Sequence, residues 1–179
     1  MKNLVILILI VVFSPLSAQI AIGKTTLSGG SSLMEFFGNT ATNQFTDTET
    51  TNTKGIILPS VSNVLSATNS HNGSFIFDKQ SGKVKFYENN VWKDMSDEGN
   101  SSNMIPSVGS ESGSGVIIGA NSSVTKGVLI FESANKALVL PHIKNPDQSV
   151  ISPYPGMICY DTVSNSIAVF DGINWSYWK

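Results

Sequence analysis

The fold of this chain is decided by the stretch GSFIFDKQSGKVKFYENNVW, residues 73–92, because GMICYDTVSNSIAVFDGINW, residues 156–175, repeats its pattern 83 positions later without a gap. Glycine, aspartate, serine and tryptophan recur at matching places, ending with Trp92 in the first stretch and Trp175 in the second. Most positions between these identities keep their apolar or polar class. A pattern that returns at a fixed spacing indicates two copies of one structural unit.

Two further segments extend the repeat towards the start of each copy. KGIILPSV, residues 54–61, corresponds to KALVLPHI, residues 136–143, and IAIG, residues 20–23, resembles VIIG, residues 116–119. The chain is therefore predicted to contain two related modules.

Each copy has the periodicity of β-structure. Val84 and Phe86 alternate with Lys83, Lys85 and Tyr87, which is typical of a strand with one buried face. The same face in the second copy consists of Ile167 and Val169. The strand before this one is apolar throughout in both copies, as expected where both of its sides are covered.

Matching turn residues separate these strands. Gly82 aligns with Asn165, and glycine and asparagine are the residues that most readily adopt positive φ at a hairpin. A second turn follows at residues 88–90 and 171–173, where Asn-Asn and Asp-Gly are typical turn formers. Each copy is thus predicted to end as a three-stranded meander whose last strand carries tryptophan.

The sequence predicts an all-β fold of two related small meander modules joined by a flexible linker rich in glycine and serine. Residues 1–18 are predicted to be a signal peptide and residues 19–96 the first module, which contains a threonine-rich insertion at residues 38–53. Residues 97–115 are predicted to be the flexible linker, because their composition buries little apolar surface. The second module is predicted to span residues 116–179.

The N-terminal segment has the features of a secretory signal. Lys2 precedes an apolar run that ends at Phe13, and the small residues Ser17 and Ala18 suggest cleavage after Ala18. The run is about ten residues long, whereas a membrane span needs roughly 20, so a retained anchor is the weaker alternative. We expect a secreted or cell-surface-associated bacterial protein with no transmembrane segment in its mature chain.

Charge and composition exclude several function classes. The net charge is −2 and the chain contains no arginine, so the basic footprint of a nucleic-acid-binding protein is missing. The IGKTT stretch, residues 22–26, lacks the first glycine of a phosphate-binding loop. Cys159 is the only cysteine and lies in an apolar run typical of a buried position.

No catalytic, cofactor-binding or metal-ligating residues are predicted. Asp78 and Asp161 occupy equivalent strand ends, where an aspartate commonly accepts hydrogen bonds from the following turn. Two carboxylates also serve glycoside hydrolysis, but only when they face each other across a cleft. We therefore predict that the protein is not an enzyme.

The tryptophans admit two interpretations, a binding platform or part of a core. Trp92 and Trp175 recur at the same place in both copies, which favours a structural core role, because small domains depend on the burial of such rings. Tyr177 and Trp178 align with Asp94 and Met95, so they are peculiar to the second copy. These two rings are the candidate contacts for a glycan or protein partner.

The combination of KGIILP and KALVLP with the two meander stretches resembles a module of secreted Bacteroidota proteins, some of which are similar to tail-fibre or adhesin shafts. The resemblance implies a β-rich, non-catalytic structural or adhesive surface protein, fibre-like and self-associating as a homo-oligomer. The alternative is a soluble carbohydrate-binding module that uses exposed aromatic rings. Asp161-Thr162-Val163 also matches a short O-glycosylation pattern of such secreted proteins.

Overall fold

The computed structural model describes residues 19–25, 32–36, 50–105, 113 and 115–179, and the described chain is nearly all β. The strands are β1 Ile20–Ile22, β2 Ser32–Phe36, β3 Ile56–Ile57, β4 Ser60–Val61, β5 Phe75–Asp78, β6 Lys83–Glu88, β7 Val91–Asp94, β8 Val116–Ile118, β9 Leu129–Phe131, β10 Ala137–Leu138, β11 His142–Ile143, β12 Met157–Asp161, β13 Ser166–Phe170 and β14 Trp175–Trp178. The described residues also contain one short α-helix, α1, at Pro146–Ser149, and a 3-10 helix at Ala67–Asn69. The all-β class is confirmed.

The two copies form sheets with the same topology. The first meander orders its strands β4-β5-β6-β7, and the second orders β11-β12-β13-β14. In both, a short parallel strand precedes two antiparallel hairpins. Even single hydrogen bonds recur, since Phe77 N–H donates to the Pro59 carbonyl and Tyr160 N–H to the Pro141 carbonyl, each at 2.9 Å. The sequence repeat is therefore also a repeat of backbone geometry.

The first hairpin turn of each meander contains the left-handed residue that its sequence predicts. Gly82 has φ 65° and Asn165 has φ 54°. Beside each turn residue the strands continue in the register of a tight hairpin, with Asp78 opposite Lys83 and Asp161 opposite Ser166. The prediction of positive φ at these positions is confirmed.

The two meanders share one hydrophobic core. Alternate side chains of each sheet point towards the other meander. We call this side of a sheet its inner face and the opposite side its outer face. The buried members of the shared core are Phe77, Val84, Met95, Ile158 and Val169. Equivalent positions of the two copies meet there, as Leu58 and Leu140 do at its margin. The modules thus pack against each other through the same face.

Trp92 and Trp175, predicted to have a structural core role, lie outside the shared core. Trp92 instead lies opposite Tyr87, on the outer face of the first meander, with ring centroids 5.1 Å apart. Tyr87, predicted to face solvent, is only 2% exposed. At Tyr87 the outer face of β6 is thus covered by the Trp92 ring, while the inner face of β6 packs against the other meander.

The predicted flexible linker is not supported where residues 97–105 are described. Gly99 N–H donates to the Gly82 carbonyl at 3.2 Å, and Asn100 N–H donates to the Asp171 carbonyl at 2.9 Å. A Cβ on Gly99 would lie 2.1 Å from the Asp171 carbonyl oxygen, so only glycine fits this approach. This segment is bonded to both meanders, in spite of its polar composition.

A smaller core lies beside the N-terminal segments of the two copies. Strand β2 lies between β1 and β10 in an all-parallel sheet, and β8 pairs with β9 in a second, two-stranded parallel sheet. The buried residues between them are Leu33, Met34 and Ile118. Strand β3 leaves this region and pairs antiparallel with β12 of the other copy.

The predicted signal peptide, residues 1–18, lies outside the described residues, as do residues 38–49 of the threonine-rich insertion. The end of that insertion is attached to the second copy, since the side chains of Thr50 and Asn52 both donate to the His142 carbonyl at 3.1 Å. Within the described part of the chain, no helix is long and apolar enough to cross a membrane.

Candidate functional site

Trp178, one of the two candidate contact residues, lies at the margin of the shared core. It pairs with Ile167 on the inner face of β14. Its indole N–H donates to the Met95 carbonyl at 2.5 Å, and its ring meets Phe86 edge-on at a centroid distance of 5.9 Å. The ring is 40% exposed, yet its only donor group is already used in joining the two meanders.

Tyr177, the other candidate, faces the opposite way because side chains alternate along a strand. It pairs with Ala168 on the outer face and is 42% exposed. Burial raises the pKa of Tyr177 to about 12, and the neighbouring carboxylates, Asp147 first, add to the shift. Tyr177 and Trp178 therefore do not form one flat platform.

Trp92 and Trp175, predicted as core rings, occupy equivalent half-buried positions on the outer faces. The Trp92 indole N–H donates to the Leu65 carbonyl at 3.0 Å. Trp175 packs on Phe170 with ring centroids 5.3 Å apart and joins a cluster that includes Cys159. Each ring thus covers an aromatic neighbour in its own meander.

Asp78 and Asp161 bind the first turn of each meander. Asp78 accepts hydrogen bonds from Gln80 N–H at 3.0 Å and from the Ser81 hydroxyl at 2.6 Å. Asp161 is more extensively bonded, with three backbone donors at 3.1 Å: the N–H groups of Asn145, Val163 and Ser164. Both carboxylates serve the geometry of their turns, as expected for aspartate at these positions.

These hydrogen bonds lower the pKa of Asp161. Burial is the largest single influence and raises the pKa, but the bonds from Ser164, Val163 and Asn145 together outweigh it. The carboxylate is therefore ionised at neutral pH, which is the form that accepts all three N–H groups.

The Cys159 side chain is fully buried between the strands of the second meander. Burial raises the pKa of its thiol to about 12, and the charge of Asp161 adds to the shift. A neutral, inaccessible thiol is a poor nucleophile, so Cys159 acts as a small apolar side chain.

The match to an O-glycosylation pattern at Asp161-Thr162-Val163 meets an obstacle in the fold. Thr162 is 3% exposed, and its hydroxyl oxygen is buried without a hydrogen-bond partner. A glycosyltransferase could not reach this hydroxyl in the folded protein.

The lysine of IGKTT has a structural partner. Lys24 Nζ lies 2.6 Å from a carboxylate oxygen of Glu35, which is itself buried and also accepts a hydrogen bond from the Ser32 hydroxyl. The sequence did not single out Glu35, because an isolated acidic residue between apolar neighbours carries no motif. Its position on β2 next to β1 brings it to Lys24.

Several apolar side chains at the edges of short strands are exposed. They are Ile57 in β3, Val116 in β8, Val128 and Leu129 at the start of β9, and Ile20 and Ile22 in β1. Sequence analysis did not identify them, because apolar residues in a predicted strand are ordinarily assigned to a core.

Among the described residues, no group of three or more histidine, cysteine, aspartate or glutamate side chains is arranged to hold a metal ion. The chain matches no protein-family model, no curated protein and no solved structure in comparisons with known proteins.

Proposed function

We propose that this chain is a secreted, non-catalytic structural or adhesive protein of the bacterial surface that associates with copies of itself. The observation that supports this best is the row of exposed apolar side chains along the two-stranded sheet β8–β9, at Val116, Val128 and Leu129. Exposed apolar side chains on a short, unpaired strand edge favour association with another chain.

The roles of the polar side chains are consistent with a structural protein. Asp78 and Asp161 are bonded to turns, Cys159 is buried, and Lys24 is paired with Glu35. A nucleophile or general base needs an accessible position, and these groups are instead engaged in turns, a buried cluster and an ion pair. Export rests on the sequence of residues 1–18 alone.

The proposal is tested by expressing the full chain in a bacterial host and following it to the medium or cell surface. We expect an N-terminus at Gln19 by mass spectrometry and a mass above that of one chain in sedimentation velocity at micromolar concentration. Retention in the cytoplasm would contradict export, and a strict monomer would contradict self-association.

A soluble carbohydrate-binding module remains the rival, supported by the partial exposure of Tyr177 and Trp178. Their opposite orientation weakens it, because sugar rings stack on exposed aromatic faces and these two rings do not share one. A glycan array probed with wild-type protein and Tyr177→Ala would decide, since this rival requires glycan binding that the variant loses.

A further inference from the structure

Strands β2 and β9 occupy equivalent places in the two copies but differ in their number of neighbours. Ile20 of β1 lies opposite Met34 of β2, and Val116 of β8 lies opposite Leu129 of β9. Since IAIG corresponds to VIIG, Met34 and Leu129 are equivalent residues. The environments of Met34 and Leu129 therefore show how the neighbours of β9 differ from those of β2.

The free side of β2 is covered by β10, whereas the same side of β9 is open. Val139 N–H, just after β10, donates to the Met34 carbonyl at 3.2 Å. No described strand pairs with the corresponding edge of β9. Accordingly, Met34 is 6% exposed and Leu129 is 43% exposed.

The first copy contains an equivalent of Val139 whose backbone has no hydrogen-bond partner on one side among the described residues. KGIILP aligns with KALVLP, so Ile57 corresponds to Val139. Leu58 N–H donates to the Gly156 carbonyl at 2.9 Å, which places Leu58 in a hydrogen-bonded pair with β12. Because neighbouring residues of a strand point their backbone groups to opposite sides, the N–H of Ile57 points away from β12.

We propose that β3 of one chain pairs in parallel with the open edge of β9 in a second copy of this chain, with Ile57 N–H donating to the Leu129 carbonyl. The contact would reproduce between two chains the pairing that β10 and β2 already make within one. It rests on the self-association proposed above and names the surface that carries it.

The two edges complement each other in shape and chemistry. Both carry exposed apolar side chains, Ile57 on β3 and Val128 and Leu129 on β9, and both are short enough to be covered by one strand. Adding a strand to an open edge satisfies backbone donors and acceptors while burying these side chains. A second copy is the occupant because this chain supplies both halves of the pair, and no described strand of the same chain pairs with either of these two edges.

Sedimentation equilibrium of the exported protein and its variants provides the first test. Ile57→Pro removes the outward N–H of β3 and leaves the bonds of β3 to β12, so we expect it to raise the dissociation constant of the assembly about tenfold or more. Leu129→Lys should do the same by placing a charge on the edge of β9. Val124→Lys is the matched control, since Val124 is 95% exposed outside the strand and its change should leave association unaltered.

Cross-linking tests the pairing directly, even if a proline variant folds poorly. Adjacent strands bring Cα atoms to about 5 Å, within the range of a disulfide. Mixing Ile56→Cys with Leu129→Cys protein and oxidising should give a covalent pair of chains, because Leu138 and Met34, the equivalents of Ile56 and Leu129, lie directly opposite each other in β10 and β2. Either variant alone should give far less. Cys159 is buried and does not compete.

Two results would overturn the contact, and they can be told apart. A wild-type assembly that is insensitive to Ile57→Pro and Leu129→Lys and gives no mixed disulfide would overturn the β3–β9 pairing alone. A wild-type chain that stays monomeric up to about 100 µM, a weak-affinity limit, would overturn both the pairing and the proposed self-association.

Discussion

The outer faces of the two meanders differ in composition: the first carries ion pairs, and the second has uncharged side chains at the equivalent positions and is covered by another segment. In the first meander, Lys83 and Lys85 each lie 2.8 Å from a carboxylate oxygen of Asp94. The equivalent positions in the second meander are Ser166, Ala168 and Tyr177. There the segment around α1 covers the sheet, and Val150 joins the buried cluster with Ala168.

The buried centres of the inner faces, by contrast, are apolar in both copies. They pack against each other there, so a charged residue at the centre of one would be buried by the other. The outer faces have separate surroundings and can diverge. In this repeat, apolar positions stay apolar where the two copies contact each other. Positions that contact each copy's own loops differ between uncharged and charged residues.

The largest effect is expected from placing a residue of the first outer face into the second. Ala168→Lys introduces the equivalent of Lys85 at a fully buried site with no acidic counterpart of Asp94. An unpaired buried charge costs about 5 kcal/mol, enough to unfold many small domains. Circular dichroism and urea unfolding would measure this, and a variant with wild-type stability would disprove the burial of this face.

The shared core predicts that damage to one meander is felt by both. Phe77→Ala empties a fully buried site and is expected to lower the free energy of unfolding by about 4 kcal/mol. Tryptophan fluorescence and far-ultraviolet circular dichroism should report one transition, shifted as a whole. Two separate transitions, with only one of them shifted, would show that the modules fold independently.

The segment between the meanders offers a test of the close approach at Gly99. Gly99→Ala places a Cβ 2.1 Å from the Asp171 carbonyl oxygen, which should cost about 1–3 kcal/mol in displaced backbone. Gly127→Ala is the matched control, because its added Cβ would make only ordinary contacts. Equal stability of the two variants would support the flexible linker that the composition predicted.

The aspartates at the first turns, Asp161 and Asp78, are expected to contribute different amounts to the free energy of unfolding, and the contribution of Asp161 is expected to depend on pH. Asp161→Asn is expected to lose about 1–2 kcal/mol at neutral pH, because an amide cannot accept all three N–H bonds. The pKa of Asp161 is lower in the folded state, so its stabilisation is present above about pH 4 and is lost as the pH falls through the folded value.

Urea unfolding of this variant near pH 7 and near pH 3 would measure the effect. The gap between wild type and Asp161→Asn should narrow at the lower pH. Asp78→Asn is the control in the other copy and should lose less, since Asp78 accepts from one backbone N–H and one hydroxyl. A gap that stays constant with pH would contradict a lowered pKa for Asp161.

The smallest effect is expected from the reverse substitution in the first meander, in which Lys85 is replaced by the alanine found at the equivalent position 168. Burial is the largest single influence on the pKa of Asp94 and raises it, but Lys83 and Lys85 together hold it below its ordinary value. Lys85→Ala would leave Asp94 its partner Lys83, and a partly exposed ion pair contributes about 0.2–1 kcal/mol. Thermal unfolding would check this, and a loss comparable to that of Ala168→Lys would remove the contrast between the outer faces.

Local features of the fold were predictable because they depend on a few neighbouring residues. The alternation around Val84 and the left-handed residues Gly82 and Asn165 define the hairpins without reference to the rest of the chain. The turn bonds of Asp78 and Asp161 are local in the same sense. Tyr177 and Trp178 are adjacent in β14, so the alternation of side chains along a strand places them on opposite faces.

By itself, the sequence determined the all-β class, the internal repeat, the order of the three antiparallel strands in each meander and the residues at its tight turns, since these follow from periodicity and local backbone preferences. Only the tertiary structure decided that the meanders share one core, that Trp178 joins them and that residues 97–105 are bonded to both. It also decided that β3 pairs with β12 and β10 with β2, so that one edge of β9 has no partner among the described strands. These are contacts between segments far apart in the chain, and their free energy depends on which surfaces meet, which no short stretch of residues specifies.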